Sequence, residues 1–288
     1  MSSKMWMMTA LLTACTGTKT DTGTINDTGD DTLPAAENGL PTGSSEWEGT
    51  LVVSGFEFPA TASIDNQGGD LSGTVTFSDN PDTPLGFGKG VYSVTGTHDP
   101  VSGRVAIAPE DWITPPKVAL ELLGLSGTYD PDSGTITGMV ADYASGSDNS
   151  LNGGAATMVV TGDGEPLGAG DSALALPAEE RAFSGTMQCT GPEREVEGLI
   201  RYDGVGDVEG TITFGDPTLD DLHETFEFTG VHNPSTGGVT IVPGLFVAPE
   251  RTFVSFFVEA TFDPDADTLD GGMRQNVGTC PELWQAGF

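Results

Sequence analysis

The sequence predicts an all-β protein of two tandem antiparallel meander domains. Three observations lead there: a duplicated segment, a two-residue hydrophobic period inside it, and turn sequences between the periodic runs. Leu71-Ser-Gly-Thr-Val-Thr-Phe77 returns as Val208-Glu-Gly-Thr-Ile-Thr-Phe214. Gly49-Thr50 matches Gly185-Thr186, His98 matches His232, and Tyr129 matches Phe262. The spacing between matched positions drifts by only a few residues, as small loop changes in a copied module would leave it. From Thr252 to Phe262 one parity reads Val254, Phe256, Val258, Ala260, Phe262, while the other mixes polar and apolar residues. That alternation suits a strand with one buried face.

Strands are expected near 47–54, 59–65, 70–77, 91–98, 103–108, 118–129, 134–141 and 156–161 of the first copy. Asp-Pro-x-Ser/Thr-Gly turns follow His98 and Tyr129, where proline presets φ and glycine takes the left-handed position. Eight strands are enough to close a small up-and-down barrel whose interior holds side chains or one small ligand. A pair of β-sandwiches is the alternative architecture. Trp47 and Phe183 open the two copies on the inward parity. This opening resembles, in a general way, that of lipocalin-like and avidin-like barrels, and the resemblance implies an aromatic that plugs one end. A ligand-binding version would have an apolar mouth lined by Phe87, Tyr92, Phe246 and Phe253.

Met1 to Cys15 has one basic residue, Lys4, an apolar run from Met5 to Leu12, and then Leu12-Thr13-Ala14-Cys15. This stretch resembles the lipobox of bacterial lipoproteins. The resemblance implies cleavage before Cys15, a diacylglycerol on its sulfur and an acylated amino group; Thr16 in place of Asp implies sorting to the outer membrane. A secretory signal with a chance cysteine is the plainer alternative, and the apolar run falls short of the roughly 20 residues a spanning helix needs. The expected organisation is a signal peptide at 1–14, a lipidated cysteine and disordered acidic tether at 15–45, β modules at 46–162 and 181–288, and a linker at 163–180. Thr16 to Ser45 is too poor in apolar residues to offset the entropy of ordering. Asp21-Thr-Gly23 and Asp27-Thr-Gly29 spell the aspartic-protease triplet, but lie in that polar tract and not after a hydrophobic strand.

With Cys15 assigned to lipid, Cys189 and Cys280 remain, on the first and last strands of copy two. Those strands are neighbours in a closed meander, so a disulfide there is expected in an exported protein; two free buried thiols are the alternative. Forty-three acidic against ten basic residues give a formal net charge of −33, which repels nucleic acid. Asp263, Asp265, Asp267 and Asp270 form a candidate calcium site. Thr268 and Arg274 stand where an EF-hand needs glycine and a bidentate acid, so only a looser hairpin site or a plain Asp-rich turn fits. His98 and His232 read as inherited turn residues. No activated nucleophile, phosphate loop or His-rich metal set is recognisable, which favours a non-enzyme without a cofactor. Outward Thr, Ser, Asp and Glu suit barrels in water, not lipid. The expectation is a lipid-anchored envelope protein with a ligand-binding or structural role, its partners the membrane and a small apolar ligand or envelope protein. A surface adhesion or coat protein and a carboxylate-based hydrolase are the alternatives.

Overall fold

The computed structural model describes residues 38–82, 86, 88–117, 122–141, 153–188, 193–215, 223–247, 255–274 and 283–288. These residues form sixteen strands and no helix. The first eight are β1 (Gly43–Val53), β2 (Phe56–Gln67), β3 (Asp70–Ser78), β4 (Lys89–His98), β5 (Arg104–Thr114), β6 (Gly124–Asp130), β7 (Thr135–Ala141) and β8 (Gly153–Gly162). The second eight are β9 (Glu180–Met187), β10 (Arg194–Tyr202), β11 (Asp207–Gly215), β12 (His223–His232), β13 (Gly238–Phe246), β14 (Phe257–Asp263), β15 (Thr268–Arg274) and β16 (Leu283–Gly287).

Each set is an antiparallel meander closed on itself, and both barrels belong to one compact unit. In the first, Trp47 of β1 pairs with Ala62 on one side and with Val160 of β8 on the other. In the second, Met187 of β9 pairs with Arg194 and with Trp284 of β16. These closing rungs set aside the sandwich alternative and leave no free sheet edge at either seam.

Alternation decides what lies inside. In β2, Phe58, Ala60, Ala62 and Ile64 are buried while Glu57, Pro59, Thr61 and Ser63 are exposed. All eight strands of each barrel contribute to one continuous apolar cluster. In the first, Trp47 fills the interior beside Leu51, Phe58, Phe77 and Tyr92. In the second, Phe226 lies edge-on to Phe256 at 5.0 Å and to Phe214 at 6.1 Å. The copies distribute bulk differently: Leu51 pairs with Ala156 in the first barrel, and the matched rung of the second is Met187 with Trp284. The β4–β5 and β12–β13 ladders are irregular at matched places, where Val94 faces Pro109 and Phe228 faces Pro243. Proline cannot donate to a ladder, so a bulged rung accommodates it.

The barrels join along β4–β5 and β12–β13 about an approximate two-fold axis. Thr97 and Thr240 hydroxyls lie 2.7 Å apart, Thr95 donates to Glu259, and Arg104 pairs with Asp207. Ala106, Ala108, Ala141, Val231, Val242 and Phe257 form an apolar cluster at this junction. Gly69 and Gly206 occupy matched turns at φ 103° and 101°, where side chains are strained. A Cβ on Gly69 would lie 1.8 Å from the Asn233 amide nitrogen, and one on Gly206 would lie 2.4 Å from an Asp99 carboxylate oxygen. Because Asp99 and Asn233 are themselves matched positions, each barrel inserts its turn against the other's in the same way.

Candidate functional site

At one end of each barrel a short strap precedes the first strand and ends on a buried histidine. Leu40 is 1% exposed, and its N–H donates to His98 Nε2 at 2.9 Å. Leu176 is 3% exposed and donates likewise to His232 Nε2 at 3.0 Å. The other ring nitrogen, Nδ1, faces the Arg104 carbonyl at 3.0 Å in the first barrel and the Gly238 carbonyl at 3.1 Å in the second. Each leucine is followed by proline, Pro41 or Pro177, which holds the preceding residue extended.

Both straps are fastened beyond the histidine. Asn66 Nδ2 donates to the Leu40 and Pro41 carbonyls, and the Asn38 amide donates to the Val101 carbonyl at 2.8 Å. Pro41 bridges Pro166, while Thr42 and Leu167 exchange backbone bonds with Glu165 and Leu40. The chain leaving β8 is thereby tied to the chain entering β1. Leu174 N–H donates to the Pro234 carbonyl, and Leu176 joins the core of the second barrel. Asn38–Thr42 lies within the stretch expected to be tether, and β1 begins ahead of the expected module start at 46. A single buried leucine among polar residues has no periodicity to betray it. The available signal was the repeated Leu-Pro dipeptide, matched between copies like the strands that follow.

His98 and His232 are therefore interior keystones rather than turn residues. Burial lowers both imidazoles from the ordinary histidine value to about 4, against smaller opposing effects of the carbonyl bonds and the Asp99 carboxylate. Tyr202 lies edge-on to the His232 ring at 5.0 Å, and burial pushes its phenol up to about 12.

Of the residues expected at an open mouth, Tyr92 and Phe246 are buried in core clusters. The Tyr92 hydroxyl donates to the Leu123 carbonyl at 2.9 Å, and its ring meets Trp112 edge-on at 5.4 Å. Phe246 meets Phe226 edge-on at 5.9 Å. Phe87 and Phe253 lie outside the described residues, as do Cys15, Cys189 and Cys280.

The four aspartates occupy the β14–β15 hairpin but engage different partners. Asp263 accepts from the Asp265 and Ala266 amides within the turn. Asp267, at φ 56°, accepts both terminal nitrogens of Arg181 at 2.7 and 2.6 Å, and that guanidinium holds its carboxyl below the usual range. Arg181 also stacks on Phe288, 4.4 Å from the ring centroid. Asp270 accepts from Gln285 at 2.7 Å. Among the described residues no three His, Cys, Asp or Glu side chains group as a metal site.

The outer wall of the second barrel carries an open groove of about 460 Å³ lined by Glu180, Leu199, Arg201, Glu209 and Glu227. Arg201 and Glu209 pair across it at 2.8 Å. No family model, curated protein or solved structure matches the chain. The described residues offer apolar cores within both barrels and a chain of net charge −33.

Proposed function

We propose that this protein is a lipid-anchored cell-envelope lipoprotein whose twin barrels act through their outer surfaces, in a non-enzymatic structural or adhesive role. The observation that carries this reading is the burial of apolar side chains from all eight strands of each barrel in one core cluster among the described residues. Tyr92 and Phe246, the described residues expected to line an open mouth, serve as core, and the Leu40 and Leu176 straps occupy one end of each barrel. Cores of this kind favour recognition by the exterior, and that exterior carries most of a net charge of −33. Partners would be basic or cation-bridged envelope components, with anionic polymers repelled.

The anchor rests on Leu12-Thr13-Ala14-Cys15. Several acyl chains, each contributing about 0.8 kcal/mol per buried CH₂, hold such a protein at a membrane stably. Replacing Cys15 with Ser and following both membrane fractionation and incorporation of labelled fatty acid tests it. Loss of label and release into the soluble fraction are expected; a Cys15→Ser protein that stays with membranes contradicts the anchor. Cys189 and Cys280 are proposed as a disulfide joining the ends of the strands that close the second barrel.

A further inference from the structure

Each strap depends on a ring nitrogen that must carry no proton. With Nδ1–H donating to the carbonyl of Arg104 or Gly238, Nε2 of His98 and of His232 is left as the acceptor for the strap N–H. A second proton has only Nε2 to occupy, where it opposes the N–H of Leu40 or Leu176, donor against donor, with the Leu174 carbonyl a partial counterweight at His232 alone. The imidazolium so formed would be buried. The charged group bearing on both rings is the carboxylate of Asp99, which adjoins His98 in its own barrel and reaches His232 across the junction. Asp99 already accepts from the Ser102 amide and hydroxyl. Tyr202 faces His232 with a neutral ring edge. The Arg104 side chain is directed to Asp207 and Thr128.

We propose that His98 and His232 are paired acid-operated latches, whose protonation releases the Leu40 and Leu176 straps and opens one end of each barrel while the sheets persist. The rungs that close the barrels, from Trp47–Val160 to Met187–Trp284, use neither imidazole. Burial of both rings places the transition in acid, between about pH 6.5 and 4.

Amide hydrogen exchange on the full chain, followed by NMR from pH 7 to pH 4, tests the latch. After correction for intrinsic exchange, opening at Leu40 and Leu176 is expected to rise about 10-fold per pH unit, one proton being taken up at each site. Amides in central rungs, such as Ala62 and Ile212, should keep their protection over the same range. The variant H98Q/H232Q supplies a non-titrating acceptor and should flatten the slope at both straps. Strap protection that does not change with pH in the native protein overturns the proposal. Protection lost only in step with Ala62 and Ile212, or an unchanged slope in H98Q/H232Q, overturns it too. If the variant does not fold, the comparison of strap and rung amides in the native chain decides alone.

Discussion

The side-chain amide of Asn233, in the second barrel, donates to the backbone carbonyl of His98, in the first, at 3.1 Å. It donates to the Gly68 carbonyl as well, at 2.8 Å. One side chain thus ties a keystone strand of the first barrel to the turn of the second. Asn233→Ala strands the buried His98 carbonyl and removes a second bond to the exposed Gly68 carbonyl, and should destabilise by about 1–3 kcal/mol. Asn233→Asp, which copies the matched Asp99, sets a carboxylate against those carbonyls and should destabilise more at neutral pH. Urea unfolding of both variants measures the difference; an Asp variant as stable as the parent would contradict this role.

The turn glycines give a second test. Gly206→Ala introduces a side chain at φ 101° and into the space of Asp99. Strained backbone of this kind costs on the order of 1–3 kcal/mol before any clash is counted. Gly168, with open space around its missing Cβ and no positive φ, is the control: Gly168→Ala should leave the melting temperature nearly unchanged.

Stability should fall in acid by a route that can be assigned. Both histidines have folded-state values lowered to about 4 from 6.5, so the unfolded chain binds protons first. The stabilisation is fully present above pH 6.5 and is lost as pH falls through about 4. Each imidazole contributes up to about 3 kcal/mol on a scale of 1.4 kcal/mol per pH unit. Urea unfolding at pH 7, 5 and 4 should show the decline, and H98Q/H232Q should show less of it.

The two barrels should respond differently to loss of an indole. Trp47 Nε1 donates to Ser45 Oγ at 3.0 Å, whereas the buried Trp284 N–H has no partner among the described residues. Trp47→Phe therefore loses a hydrogen bond along with volume, whereas Trp284→Phe loses volume but also removes a buried donor without a partner among the described residues. Either Trp→Ala change should cost about 3–5 kcal/mol. Equal losses for the two Phe variants, measured by urea unfolding, would argue against the hydrogen-bond difference.

Strand number, order and inward parity were legible because a half-buried strand writes its burial at every second residue. Val75 and Phe77, or Ile212 and Phe214, lie inside as alternation requires. Closure was legible only as a count of strands. The junction between barrels was not read, because its residues lie on the outward parity, where small and polar side chains look solvated. A signal was present: Val105-Ala-Ile-Ala-Pro109 and Val239-Thr-Ile-Val-Pro243 are largely apolar on both parities, as strands covered on two faces are. The histidine keystones were visible as a matched pair, but their burial depends on straps whose single leucines leave no periodic trace. The aspartates of the β14–β15 hairpin showed their spacing in sequence, while the partner of Asp267 came from β9, far away along the chain.

Titration of the full chain at pH 7 with an apolar fluorescent probe such as anilinonaphthalene sulfonate tests most directly whether the barrels act from outside. Packed interiors sealed by Leu40 and Leu176 should give no saturable rise in fluorescence. Saturable binding at one or two sites per chain, abolished by an interior substitution such as Ala62→Phe or Ala260→Phe, would contradict the packed interior and return the protein to the class of barrels that hold a ligand within.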